Sequence, residues 1–145
     1  MSRSRTVAAA PQAVWDVLAD FGAISEWAGN VDHSCILEHG PDGAVGTSRR
    51  VQVGRDALVE RISVADAPRV LEYEIEGLPR QLRRVANRWS LEPGPRDDTA
   101  VTLTSTVEIG ANPVAAIAER AMCRVMAKQS EAMLAGLAER LEELP

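Results

Sequence analysis

Arg49 and Glu60 fall in two neighbouring β-like stretches, Thr47 to Val53 and Leu58 to Val64, joined by a short loop containing Gly54, Arg55 and Asp56. A loop of that kind between alternating apolar residues predicts a tight hairpin. Residues of one parity on paired strands share a face, which groups Arg49 and Val51 with Leu58, Glu60 and Ile62. A register placing Val51 opposite Glu60 brings Arg49 diagonally near Glu60. The two then form an internal ion pair or orient a polar group of a ligand, whereas a slip of one residue turns both to solvent.

Other residues offer weaker chemistry. Trp27, His33 and Tyr73 have polar tips that can reach a cavity or its mouth. An imidazole suits proton transfer near neutral pH, but a lone His33 beside Asp32 reads as a surface residue. With no nucleophile spacing, oxyanion loop or second base in view, the catalytic residues stay unassigned, and Glu60, His33 and Tyr73 are the candidates if there is a reaction. Met122, Met126 and Met133 either fill the core or form an adaptable ligand wall, and Gln129 in the same stripe needs a partner from protein, water or ligand. Arg80, Arg83, Arg84 and Arg88 follow the Gly77-Leu78-Pro79 turn. They make a solvated basic edge, or a portal for a carboxylate, a phosphopantetheine or an anionic membrane surface. Cys35 and Cys123 lack CxxC or Cys/His spacing, which predicts reduced structural cysteines; neither zinc nor another cofactor is expected.

The elements that must position these groups follow from periodicity. A β-like stretch from Arg3 to Ala9 precedes Pro11, a residue suited to a first helical turn. Val14, Trp15, Val17, Leu18 and Phe21 give the helix an apolar stripe, with Gly22 as its expected stop and a short helical piece at Ile24 to Trp27 after it. A strand near Val31 to Leu37 and the turn at His39 to Gly43 lead into the hairpin. Leu71, Tyr73 and Ile75 alternate with Glu72, Glu74 and Glu76, the pattern of a strand with one wet face. Two further strands, about Val85 to Glu92 and Ala100 to Ile109, flank the breaker at Pro93 to Asp98 and should pair antiparallel. Val85, Asn87, Trp89, Leu91, Val101 and Leu103 then share the inward parity of Tyr73 and Ile75.

From Asn112 and Pro113 onward the chain reads as one long helix, with Ala118, Met122, Val125, Met126, Gln129, Met133 and Leu137 on one side and Arg120, Arg124, Lys128, Glu131 and Glu142 opposite. At 1.5 Å per residue it spans roughly 45 to 50 Å, enough to cross a sheet. The order of strand, short helices, about six strands and a terminal helix is that of an α+β layer fold.

A chain of 145 residues is the size of one domain, residues 1–145, able to bury a core without staples. Its net charge of −5 opposes association with phosphate backbones, so nucleic acid is not an expected partner. No apolar run reaches the roughly 20 residues of a membrane span, and the first residues lack the apolar core of a signal peptide, which together place the protein in the cytoplasm.

The strings APQAVWDVLADFGAISEW (Ala10 to Trp27), GAVGTSRRV (Gly43 to Val51), LVERISV (Leu58 to Val64) and VLEYEIEG (Val70 to Gly77), with the element order, resemble the START-like helix-grip superfamily (SRPBCC), in its polyketide cyclase/dehydrase branch. The resemblance covers nearly the whole chain. It implies a helix-grip fold, a curved antiparallel sheet wrapped around the C-terminal helix with a cavity between them. A hydrophobic small molecule, lipid, aromatic or polyketide-like, is then the expected partner. Ligand-binding candidates are Trp27, Arg49, Val51, Glu60, Ile62, Tyr73, Ile75, Trp89, Met122, Met126 and Gln129. The superfamily also includes cyclases, hydratases and partners of other proteins, so a cyclase or dehydratase-type enzyme and a protein-binding adaptor stand as alternatives.

Overall fold

The computed structural model of the chain describes residues 1–77, 82–109 and 115–144, with helix side chains in the last stretch described from residue 124. Arg80, the expected helix start at Asn112 and Pro113, and the side chains of Ala118, Arg120, Met122 and Cys123 lie outside the described residues.

The elements run β1 (Ser2–Val7), α1 (Pro11–Ala19), a 3-10 helix (Phe21–Glu26), β2 (His33–Gly40), β3 (Gly43–Val53), β4 (Asp56–Asp66), β5 (Val70–Glu76), β6 (Leu82–Pro93), β7 (Thr99–Ile109) and α2 (Ala115–Glu143). The seven strands form one antiparallel sheet in the order β1-β7-β6-β5-β4-β3-β2. From β2 to β7 each strand pairs with its successor, because short turns leave the next strand nowhere else to lie. This curved sheet with a long terminal helix is the helix-grip fold.

Pro11 opens α1, where a missing N–H costs nothing. The expected stop at Gly22 is not where the helix ends: α1 finishes at Ala19, and Gly22 sits inside the 3-10 helix. Close packing accounts for the glycine, since a Cβ there would come within 2.7 Å of Ile36 Cγ1 on β2.

Strand alternation sorts the faces as read from the sequence. Val51, Ile62, Leu71, Tyr73, Trp89, Leu91, Val101 and Leu103 are all buried on the inner face. Helix α1 packs on β6 and α2, α2 lies along β7 and β1, and the 3-10 helix covers β2 and β3. Among the described side chains of α2 the buried ones are Met126, Ser130, Met133, Leu134, Leu137 and Ala138, a stripe at three- and four-residue spacing. Val125, expected within that stripe, is instead 53% exposed, because the buried line runs one position further round the helix. Among the described residues no helix is long and apolar enough to cross a membrane.

Candidate functional site: a pocket built around a buried ion pair

Arg49 and Glu60 meet face to face on the inner side of the sheet. The turn between β3 and β4 is only Gly54 and Arg55, with Val53 opposite Asp56, Val51 opposite Leu58 and Arg49 directly opposite Glu60. The expected register, Val51 opposite Glu60, assumed a longer loop; Asp56 and Ala57 are strand residues, and the pairing shifts by two. Gly54 supports the tight turn with a φ of +61°, a backbone region that favours glycine. A shift of two preserves parity, so both charges stay inside and their contact is direct.

Arg49 is 2% and Glu60 6% exposed. Arg49 Nε donates to Glu60 Oε1 at 2.8 Å, and Nη2 approaches the same oxygen at 2.8 Å without adding a hydrogen bond. Nη1 donates to the Phe21 carbonyl at 2.9 Å. The guanidinium carbon lies 3.7 Å from the centroid of the Phe21 ring and 4.6 Å from that of Tyr73. A cation between two aromatic rings is held by their quadrupoles as well as by its anion. One side chain therefore ties β3 to β4 and to the start of the 3-10 helix.

A pocket of about 430 Å³ opens above this pair, between the sheet and α2. Its sheet wall includes Val51, Leu58, Glu60, Tyr73, Ile75 and Asn87. Met126, Gln129 and Met133 of α2 face them, and exposed Val125 stands on the rim. Ile24 of the 3-10 helix lines it too, with Asn30 and Val31 from the segment between that helix and β2.

Of the residues expected to touch a ligand, Val51, Glu60, Tyr73, Ile75, Met126 and Gln129 line the pocket. Trp27, Arg49, Ile62 and Trp89 are buried but stand outside that lining. Trp89 is held there by its neighbours: its Nε1 donates to the Tyr73 hydroxyl at 3.3 Å, and its ring meets Trp27 edge-on at 6.0 Å. His33 is exposed on β2, one position out of phase with the inward Ser34, which donates to the Gly22 carbonyl. Arg84 lies on the outer face, paired with Glu72, Glu74 and Glu108, and Arg83 and Arg88 are exposed. Cys35 is a free, exposed thiol.

Sequence reasoning gives Ile24 and Val31 only as the first residues of a short helix and of a strand, not as pocket lining, and does not single out Asn30. It also missed Phe21 as a partner of Arg49. That role rests on a backbone carbonyl and a ring face, neither of which leaves a signal in residue type.

Burial pushes the Tyr73 phenol above its ordinary pKa of 10.0; the nearby Glu60 carboxylate adds to the rise and Arg49 offsets part of it. A phenol whose pKa is raised by folding contributes stability that is complete below pH 10 and is lost as pH climbs through the folded value. Tyr73 is the sole tyrosine in the chain, so tyrosinate absorbance reports on it alone. That absorbance should rise only together with unfolding above pH 10, and Tyr73→Phe should flatten the alkaline loss of stability. Titration of the intact fold near the ordinary value would contradict this burial.

Comparisons with known proteins agree with this fold. The structure of the Zhui aromatase/cyclase from Streptomyces sp. R1128 superposes with a TM-score of 0.80 at 21% identity, covering 98% of this chain and 92% of that one. A START superfamily protein from Mycobacterium smegmatis gives 0.79 at 18% identity, covering 100% and 98%. A protein from Thermobifida fusca gives 0.77 at 27% identity, covering 97% and 91%. Among functionally curated proteins, none matches the chain. The sequence pattern described as polyketide cyclase / dehydrase and lipid transport matches residues 1–142, and with its START-like fold the chain belongs to that family.

Proposed function

We propose that residues 1–145 form a single ligand-binding domain that takes up a hydrophobic small molecule between the sheet and α2. The observation that carries this reading is the pocket of about 430 Å³, within the roughly 300–1,000 Å³ usual for small-molecule sites and walled chiefly by aliphatic and thioether side chains. Met126 and Met133 suit an apolar body of irregular outline, since thioethers adapt to varied shapes. Glu60 and Tyr73 add polar groups that orient it.

Mass spectrometry of small molecules extracted from the natively purified protein should find an apolar compound in near-stoichiometric amount, displaceable by a hydrophobic fluorescent probe. Because Trp89 Nε1 bonds to the hydroxyl of Tyr73, a residue of the pocket lining, probe binding should change tryptophan emission, and Trp89→Phe should remove most of that change. An unchanged spectrum at saturating probe, with nothing extracted, would reject the reading.

A second reading is an enzyme of cyclase or dehydratase type. It is favoured by Glu60 and Tyr73 sharing one pocket and by the aromatase/cyclase among the structural relatives. Glu60 would accept a proton and the Tyr73 hydroxyl, kept protonated by burial, would donate a hydrogen bond to the ligand. Conversion of a cyclisable or dehydratable compound, abolished by Glu60→Gln in folded protein, separates catalysis from carriage.

A further inference from the structure

We infer that the pocket selects a neutral ligand with two polar ends, a hydroxyl that donates to Glu60 and a carbonyl-type oxygen that accepts from Asn87, on an apolar ring system. The inference rests on the ligand-binding reading above. Its new element is a donor site on β6 that faces the acceptor on β4.

Asn87 is 7% exposed and lines the pocket, directly opposite Tyr73 on β5 and Ser105 on β7. The Ser105 hydroxyl donates to Asn87 Oδ1 at 2.6 Å, and the Ser130 hydroxyl of α2 lies 3.5 Å from that of Ser105. Ser105 and Ser130 are 5% and 2% exposed. A separation of 2.6 Å is normal for O–H···O and short for N–H···O, so the oxygen of the amide is the atom that Ser105 holds. The Nδ2 group is thereby turned away from β7. Its two N–H donors have no acceptor among the described residues, and because Asn87 lines the pocket they are left for a ligand or water there.

Glu60 presents the opposite polarity. Both close Arg49 nitrogens converge on Oε1, and Oε2 accepts no hydrogen bond among the described residues. The side chain lines the pocket, so Oε2 is an acceptor open to a hydroxyl. Arg49 already neutralises Glu60, and its third nitrogen is occupied by the Phe21 carbonyl. A carboxylate ligand would therefore meet a carboxylate with no spare cation, which excludes anions at this end.

The register sets the span. Glu60 is opposite Ile75, two residues along β5 from Tyr73, and Tyr73 is opposite Asn87. Two strand spacings and one two-residue step separate the Cα atoms by roughly 12 Å on a flat sheet, and concave curvature brings the side-chain tips closer. A fused two-ring core with its oxygens at opposite ends fits between them.

Three related probes test this: 6-acetyl-2-naphthol, 2-naphthol lacking the ketone, and 2-acetylnaphthalene lacking the hydroxyl. By fluorescence titration, wild-type protein should bind the first at least tenfold more tightly than either of the others. Asn87→Leu should erase its advantage over 2-naphthol and keep its advantage over 2-acetylnaphthalene. If none of the three binds, the ligand-binding reading fails and this inference with it. If all three bind equally, the pocket accepts apolar ligands and the two-ended selection is wrong. A hydroxyl effect without a ketone effect removes the role of Asn87. The wild-type series decides these outcomes even if Asn87→Leu does not fold.

Discussion

Arg49→Met and Glu60→Gln should each destabilise the protein by about 3–5 kcal/mol in denaturant titrations, because each leaves one member of a buried ion pair without its counter-charge. The two losses should differ. Glu60→Gln leaves the guanidinium with the Phe21 carbonyl and two aromatic faces, whereas Arg49→Met strands the carboxylate and also removes the guanidinium's tie to the 3-10 helix. Arg49→Met is therefore expected to be the more damaging. The Arg49→Met/Glu60→Gln double variant should recover part of the summed loss, since neither charge is then stranded. Glu76→Gln serves as a control: its partner Arg61 is 37% exposed and Glu76 44%, and exposed pairs contribute roughly 0–1 kcal/mol. Small, additive losses for Arg49→Met and Glu60→Gln would mean that both side chains reach water.

That pair also marks how far the sequence can be read. Period-2 alternation groups residues by face, so Arg49, Glu60, Tyr73 and Asn87 share the inner side in any register that differs by an even number of residues, and only a slip of one would turn them out. Register itself depends on where strands end, and Asp56 and Ala57 look like loop residues in isolation. They become strand because β3 provides a partner for them. The helix face was legible to within one position at Val125, an error of about 100° on the helix, enough to move a side chain from wall to rim.

The pocket was less legible than its walls. Its volume depends on how far α2 stands from a curved sheet, a distance set by packing at positions remote from it. Ile24, Asn30 and Val31 close one side, and the short helix and strand expected around them give no sign of that role. Asn87 could be placed inward by parity, but its fixed orientation needs Ser105 on the next strand and Ser130 from a distant helix, a convergence that only the fold brings about.

One of those remote packing positions is Gly136, and Gly136→Ala should lower stability by about 1–3 kcal/mol and weaken ligand binding as well. Within an isolated helix the same change would stabilise by about 1 kcal/mol, because alanine is the better helix former. Tertiary packing reverses the sign. A Cβ at Gly136 would lie 2.0 Å from the Trp27 carbonyl oxygen, 3.0 Å from its carbon and 3.4 Å from Ala28 Cα. These are backbone atoms at the end of the 3-10 helix, and no rotamer change can move them aside; the Trp27 and Ala28 amides both bond to the Ile24 carbonyl, which stiffens the segment further. Helix α2 must then back away, carrying Met133 and Gln129 with it, one and two turns earlier on the helix and both on the pocket wall. Thermal melts and probe titration on Gly136→Ala measure the two effects separately. A variant that melts above wild type and binds probe normally would show that the helix has room at Trp27, and that the pocket's width is set elsewhere along α2.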